Sequence, residues 1–430
     1  MSLARNAAYA APALPLAALY FPVYVYLAPF YAGEHGVSLS ALGSLFIAVR
    51  LMDAFTDPMM GWLSDRTESR FGRRKLWIGI SVPLIAVSCW MLMVPPADAG
   101  FGHVALWLTL LTLSWTVALT PYFAWGAELS GDYGERAAIT GWREGVTLVG
   151  TVVAVILYVS AEGDPGGGLR NVALFVAILM PLTAAVALWR TPEPVNHSKA
   201  RIDIGAGLRA IAANKYFLRL LLAYFVNGLA NALPAGLFLF FIGDLLGAPD
   251  AGWLLLVYFL CAIIGMPFWA WAARKLSKHR AWGWAMIWAC ALFSPAVFLG
   301  EGDVTLFLVI CVATGLSLGA DLSLPASIQA DVVDADTAES GEQRTGLFFA
   351  LWSVATKAAL AISGGVALII LDVVGFETGA ENGETALFTL AALYALAPAA
   401  LKLVAVWLMW NFPLGEAEQK AFRARIEATT

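Results

Sequence analysis

Long apolar stretches recur along the whole chain, and each has the length of a helix that crosses a membrane. About 20 apolar residues in an α-helix span the hydrocarbon core of a bilayer. Hydrophobic residues make up 60% of the chain and charged residues 13%, against about 45–50% and about 25% in soluble domains. The predicted runs lie near residues 10–33, 39–63, 76–96, 103–127, 140–161, 171–190, 214–243, 251–272, 281–300, 304–330, 345–371 and 384–411.

These twelve runs predict a multi-pass, all-α membrane protein. The composition argues against a soluble enzyme and a disordered protein. A net charge of -5 offers no basic surface for a nucleic acid. We therefore expect the partners to be a lipid bilayer and a small-molecule substrate, with no nucleic acid.

The longest polar stretch, residues 191–213, divides the runs six and six. We expect an N-terminal six-helix bundle over residues 1–190 and a central loop over 191–213. A C-terminal bundle over 214–411 and a tail over 412–430 follow. Of the 26 lysines and arginines, 22 fall on the side of the central loop, which the positive-inside rule makes cytoplasmic. Both termini are then predicted in the cytoplasm, in a bacterial-type inner membrane.

The two halves share weak sequence features. The run Ala-Leu-Pro occurs at residues 13–15 and again at 232–234, in the first run of each half. The fourth run of each half has a proline followed by acidic residues, at Pro121 and Pro325. Two matched six-helix halves are typical of carriers that work by alternating access, although prolines are also common in membrane helices generally.

The second run carries ionisable residues at membrane depth, where each costs about 2.5–3.5 kcal/mol to insert. Arg50, Asp53 and Asp57 are spaced i, i+3 and i+7, which places them on one helix face. Two carboxylates one turn apart repel unless a cation or a proton neutralises one of them. With the Thr56 hydroxyl, they predict a site for H⁺ or Na⁺. The alternative is a salt bridge between Arg50 and one aspartate, and both can hold at once.

Other polar residues lie inside later runs. Lys357, one turn after Ser353, is interpreted as a partner for Asp53 or Asp57 when the cation leaves, or else as part of a fixed ion pair. Lys402 is expected to snorkel to the interface. Thr116 alone is a weak candidate, because a threonine in a helix usually bonds its own backbone.

Candidate substrate-binding residues come from both halves. Asp321, Ser353 and the pair Asn227 and Asn231, at i and i+4, are predicted to face the substrate. The alternative for the asparagines is hydrogen bonding between helices. Tyr20 and Tyr24 recur near helical spacing and would stack on a sugar ring, unless they fill helix interfaces or anchor at headgroups.

No enzyme or cofactor motif is found in the sequence. Metal-ligand spacing, a nucleotide-binding loop and a nucleophile elbow are all lacking, so we predict neither an enzyme nor a cofactor beyond the coupling ion. The cysteines lie inside apolar runs and are expected to be buried thiols rather than a disulfide framework: Cys89, Cys261, Cys290 and Cys311.

Three segments resemble the glycoside–pentoside–hexuronide:cation symporter family of the major facilitator superfamily. The first reads RLMDAFTDPMMG over residues 50–61 and continues through DRT at 65–67 and RFGRR at 70–74. The second reads PYFAWGAEL over 121–129, followed by DYGER at 132–136. The third reads ADVVD over 330–334 and GEQRTG over 341–346. The resemblance implies the twelve-helix major facilitator fold and a monomeric, cation-coupled symporter.

The resemblance also implies residue roles. Asp53, Thr56, Asp57 and Thr116 match the family's cation ligands, and Arg143 and Lys357 match a functional arginine and lysine. Arg143 would then be a substrate-binding residue of the cavity rather than a loop charge. Thr56 stands where the family's galactoside carriers have an asparagine, which favours H⁺ over Na⁺.

The substrate site departs from the family pattern. The two carboxylates that hold galactosyl hydroxyls in the family's galactoside carriers are replaced by Ala17 and Leu119. We therefore expect a different sugar, glycoside or uronate. The alternatives are an amphiphile such as a lysophospholipid, since the wider family is similar to animal lysophospholipid carriers, and proton-coupled efflux by an antiporter.

A cytoplasmic gate is predicted from the charges that flank the second run. Asp65, Arg66 and Arg73 are expected to latch against Glu128 or Arg136.

Overall fold

The computed structural model describes residues 3–129, 133–161, 164–193, 213–340 and 345–415, together with residues 418, 421 and 422. Over these residues the chain is helical, with no β-strand. The α-helices are α1 (Leu3–Ala10), α2 (Ala13–Val25), α3 (Leu27–His35), α4 (Leu39–Arg66), α5 (Arg73–Met93), α6 (Phe101–Glu128), α7 (Tyr133–Val159), α8 (Pro165–Arg190), α9 (Lys215–Phe240), α10 (Trp253–Leu276), α11 (Lys278–Phe293), α12 (Val304–Ser340), α13 (Thr345–Val373), α14 (Glu384–Ala391) and α15 (Ala397–Met409).

Twelve helical segments of the described chain are long and apolar enough to cross a membrane. The first, Ala4–Val25, combines α1 and α2, and the last, Glu384–Met409, combines α14 and α15. Each overlaps one of the twelve runs predicted from sequence, so the prediction of an all-α, twelve-span protein is confirmed.

Local sequence sets where several helices begin. Ser38 accepts a hydrogen bond from the Ala41 amide at 3.3 Å and caps α4. Asp164 caps α8 through the Gly167 amide at 2.8 Å, and Pro165 follows at the first helical position. Asn214 caps α9 through the Phe217 amide at 3.0 Å. These side chains satisfy amides that have no partner within the helix.

The described chain groups into two compact units. The first consists of Met1–His197 with Leu368–Val373 and Glu377–Ala380, and the second of the remaining residues. The boundaries predicted for the bundles, central loop and tail stay predictions, since much of 191–213 and of the tail lies outside the described residues.

Close helix packing in each unit depends on small residues. In the first unit, α2 packs on α7 where a Cβ on Gly150 would collide with the Leu14 carbonyl and with Ala17. In the second unit, α10 packs on α12 where a Cβ on Gly265 would collide with the Leu316 backbone. Small residues allow membrane helices to approach to backbone contact. The four cysteines are free thiols, as expected.

Two widened turns interrupt helices of the second unit. Phe241–Leu245 continues α9 and Ala392–Leu396 joins α14 to α15, each as a π-helical turn. The Phe241 and Tyr394 rings, one from each turn, stack at 4.0 Å between centroids with 12° between their planes. The extra residue of a π turn redirects the side chains that follow, and here it brings two aromatic rings face to face.

Candidate functional site

The carboxylates predicted to bind a cation lie on α4, in the first unit. Asp53 is almost fully buried, and its Oδ2 accepts a hydrogen bond from Arg50 Nη1 at 3.0 Å. Asp57 is half-buried one turn later. Pro58 has no amide hydrogen, so the Ala54 carbonyl lacks its usual helical donor at this level. The Arg50–Asp53 salt bridge offered as an alternative is therefore present beside the carboxylate pair.

Thr116 of α6 joins the two carboxylates. Its Oγ1 lies 2.9 Å from Asp57 Oδ1 and 3.4 Å from Asp53 Oδ1. The Thr116 side chain reaches across to α4 and so differs from a threonine that only bonds its own helix. Thr56 Oγ1 is buried and has no hydrogen-bond partner. The structure thus brings together Asp53, Asp57 and Thr116, three of the four oxygen-bearing residues predicted for this site. The fourth, Thr56, lies on α4 with the two aspartates.

An aromatic side chain packs against the Arg50 guanidinium. The guanidinium carbon lies 5.5 Å from the centre of the Tyr20 ring, and Tyr20 lies 5.6 Å from Trp115 of α6. A cation over a ring is attracted by its quadrupole. Tyr20 therefore packs on the ion pair, and its stacking on a substrate stays a prediction. Tyr24 is half-buried on the same helix.

Arg143 lies within α7 rather than in a loop, as the family resemblance implied. Its Nη2 contacts Glu144 Oε1 at 2.6 Å, and its guanidinium carbon lies 4.2 Å from the centre of the Phe123 ring. Glu144 is exposed and Arg143 is largely buried. The proposed substrate role of Arg143 stays a prediction.

Part of the predicted cytoplasmic latch is present inside the first unit. Arg73 Nη2 contacts Glu128 Oε2 at 2.9 Å, and Arg74 Nη2 contacts Glu128 Oε1 at 2.8 Å. Arg74 also donates to Ser64 Oγ at 2.6 Å. Sequence reasoning missed Arg74 as a partner, although its place beside Arg73 in a basic run was a usable signal. Arg66 is exposed, with its guanidinium over the Trp62 ring.

Two of the predicted gate residues lie outside the described part of the structure. They are the side chains of Asp65 and Arg136. The contacts predicted for Asp65, and those predicted between Arg136 and Arg66 or Arg73, therefore stay predictions.

The polar residues predicted to face substrate from the second unit contact one another. Asp321 Oδ1 accepts from Trp282 Nε1 at 2.6 Å and from Asn227 Nδ2 at 3.2 Å. Asp321 Oδ2 accepts from Asn231 Nδ2 at 3.1 Å and from Lys402 Nζ at 2.8 Å. These contacts favour the alternative in which the asparagines join helices.

The prediction that Lys402 snorkels is wrong. Its side chain is 9% exposed and its ammonium bonds Asp321 and Asn227 Oδ1, each at 2.8 Å. A buried carboxylate is a better partner for this ammonium than a distant headgroup. Trp282, the remaining donor to Asp321, was missed because its indole nitrogen carries no charge.

Lys357 lies midway along α13 and is half-buried, and Ser353 is exposed one turn earlier. Lys357 belongs to the second unit, whereas Asp53 and Asp57 belong to the first. The exchange of partners predicted for Lys357 stays a prediction.

Comparison with known proteins places these features in a family. The profile of the family described as "MFS/sugar transport protein" matches residues 8–416, which is nearly the whole chain. The chain belongs to this family of membrane transporters. The sequence resemblance to glycoside–cation symporters of the major facilitator superfamily is thereby confirmed.

Relatives with assigned names include two kinds of symporter. The "sodium-dependent lysophosphatidylcholine symporter 1-A" of Danio rerio is 27% identical over 425 residues, covering 88% of this chain and 79% of that protein. The "inner membrane symporter YicJ" of Escherichia coli K12 is 25% identical over 396 residues, covering 88% and 84%.

A solved structure supports the fold. An inward-facing bacterial homologue of the human lysosomal transporter Spinster matches with a TM-score of 0.66 and 15% identity, over 99% of this chain and 98% of that one. At this identity the likeness shows the fold alone, and it confirms the predicted major facilitator fold.

Proposed function

We propose that the protein is a cation-coupled symporter that carries a small organic solute by alternating access. The observation that carries this proposal is the contact of Thr116 with both Asp53 and Asp57. Among Arg50, Asp53 and Asp57, two groups are negative and one is positive. A cation bound between the two carboxylates would lower the cost of holding both at membrane depth.

The donor set suits H⁺ or Na⁺. Carboxylate and hydroxyl oxygens are hard ligands. The buried Thr56 hydroxyl has no hydrogen-bond partner in the protein, so it would lose no hydrogen bond on binding an ion. Asp53, Asp57, Thr116 and Thr56 would hold the ion. The ion would neutralise α4, and the neutralised helix would move more readily through the steps that expose the site to each side of the membrane.

We propose a sugar, glycoside or uronate as the first substrate class to test, held by Arg143 and by Tyr20 or Tyr24. The family profile, described as "MFS/sugar transport protein", supports this class. A lysophospholipid is the second candidate, supported by the Danio rerio relative. Ala17 and Leu119, apolar where the family's galactoside carriers have carboxylates, also fit an apolar group better than a galactosyl hydroxyl.

A thermal-shift panel separates the two classes. Detergent-purified protein is melted with hexoses, pentosides, uronates and lysophosphatidylcholine, each in Na⁺ and in K⁺ across pH, because a ligand that binds the folded state raises Tm by mass action. A shift with a sugar or uronate that grows with Na⁺ or acid supports the first class. A shift with lysophosphatidylcholine alone supports the second.

The coupling site is tested in proteoliposomes loaded with the solute that the panel identifies. Asp57→Asn keeps the shape of the side chain and removes its charge, so we expect loss of ion-driven accumulation with solute exchange retained. Asp98→Asn makes the same chemical change at an exposed residue between α5 and α6 and is the control. Full accumulation by Asp57→Asn would refute the assignment.

A further inference from the structure

The second unit contains a buried charge pair that the proposed coupling mechanism does not use. Asp321 of α12 and Lys402 of α15 lie 2.8 Å apart, and each side chain is 9% exposed. Asn227 and Asn231 bring α9 to the pair, and Trp282 brings α11. Side chains from four helices therefore meet at one carboxylate.

Every observed contact of that carboxylate comes from a donor. Trp282 and Asn227 donate to Oδ1, and Asn231 and Lys402 donate to Oδ2. The Asn227 amide has a fixed orientation, because its oxygen accepts from Lys402 while its nitrogen donates to Asp321. While Lys402 is charged, a proton added to either Asp321 oxygen would point at a donor hydrogen. An ionised carboxylate facing a charged ammonium satisfies all of these contacts at once.

Other ionisable side chains nearby do not change this conclusion. Tyr258 of α10 and Cys290 of α11 are close enough to interact with the pair. Both are neutral side chains at ordinary pH, and neither offers a second carboxylate with which Asp321 could share a proton.

We infer that Asp321 and Lys402 form an ion pair that does not exchange its proton during transport and that fixes α9, α11, α12 and α15 as one body. On this inference, which rests on the proposed function, ion coupling depends on Asp53 and Asp57 alone. Asp321, Asn227 and Asn231 are then positioning residues rather than ligands of the substrate.

The test compares single and paired neutralisation. Asp321→Asn leaves the Lys402 ammonium buried without its carboxylate, and Lys402→Met leaves the Asp321 carboxylate with neutral donors only. Removing one partner of a buried pair is far more damaging than removing both. We expect each single variant to lower Tm by roughly 5 °C or more, and the double variant to recover most of that loss.

Transport by the double variant decides whether the pair carries a proton. We expect its ion-driven accumulation and the pH profile of its uptake to match those of the wild type. A double variant that recovers Tm and exchanges solute but no longer accumulates it would overturn the inference.

A variant that keeps both charges tests the inference even if the neutralised variants fail to fold. Trp282→Phe removes one donor to Asp321, so we expect a small decrease in Tm and an unchanged pH profile of uptake. A shifted pH profile would show that Asp321 titrates and would overturn the inference. Failure of the proposed function would give a different result. The wild-type protein would then show no ion-driven uptake, but the Tm values of the single and double variants could still be compared.

Discussion

At the residue scale, Thr116 is the side chain that links the two carboxylates of the proposed ion site. Thr116→Val keeps the shape of the side chain and removes the hydroxyl that lies 2.9 Å from Asp57. A hydrogen bond to a charged group contributes about 1.5–3 kcal/mol, so we expect the ion concentration for half-maximal uptake to rise about tenfold or more. Thr116→Ser keeps the hydroxyl and should stay near the wild type.

The matched control for this prediction is Thr112→Val. Thr112 lies one turn earlier on α6 and is half-buried, and it is not part of the carboxylate cluster. Uptake is measured against Na⁺ at fixed pH and against pH without Na⁺. An unchanged ion dependence in Thr116→Val would remove Thr116 from the proposed site.

Gly72 is the residue at which backbone conformation most restricts the sequence of the first unit. It has φ +97°, in the region that L side chains rarely adopt, and a Cβ there would collide with the Glu193 carboxylate. Glu193 Oε1 in turn accepts from the Arg74 amide at 2.9 Å and holds the start of α5. We expect Gly72→Ala to destabilise the protein by about 1–2 kcal/mol, read as a lower Tm.

Gly102→Ala is the control for that substitution. Gly102 lies inside α6 with open space around the position of its Cβ, and alanine is favoured over glycine in a helix. An equal loss of Tm in both variants would show that the effect at Gly72 is not caused by its backbone conformation.

At the element scale, the connection between α10 and α11 contains a backbone conformation suited to glycine but occupied by serine. Ser277 has φ 82° and ψ 153°, which costs a residue with a Cβ about 1–3 kcal/mol. We expect Ser277→Gly to raise Tm, since the strain it relieves exceeds the entropy that glycine adds to the unfolded chain. Ser277→Ala keeps the Cβ and should not raise Tm. A Tm gain in Ser277→Ala would point instead to the hydroxyl.

The helices themselves were predictable from sequence, because each membrane crossing needs a long apolar run and the chain contains twelve such runs. The carboxylates of the proposed ion site could be picked out for the same reason, since Asp53 and Asp57 are charged residues inside an apolar run. The Asp321–Lys402 pair was not predicted, because hydropathy gives the depth of a charge along its own helix but not which neighbouring helix it faces. Lys402 looked close enough to the interface to snorkel, and its partner is 81 residues away in the sequence.

At the scale of the whole molecule, the buried carboxylates of the two units have different partners. In the first unit, Asp53 and Asp57 both contact the Thr116 hydroxyl, and Arg50 donates to Asp53. In the second unit, Asp321 and Lys402 balance each other, and uncharged side chains complete the set. We therefore expect coupling to a cation to depend on the first unit, and we expect the second unit to contribute helices that stay together.

The orientation of the molecule in the membrane follows from its positive charges. Because 22 of the 26 lysines and arginines lie on one side of the predicted topology, we expect that side to face the cytoplasm. Arg70, between α4 and α5, and Asp98, between α5 and α6, are both exposed, and the predicted topology places them on opposite sides of the membrane. In a variant whose four native cysteines are replaced by alanine, a membrane-impermeant maleimide should label Asp98→Cys in intact cells. It should label Arg70→Cys only after permeabilisation. Labelling of Arg70→Cys in intact cells would reverse the topology and place both termini outside.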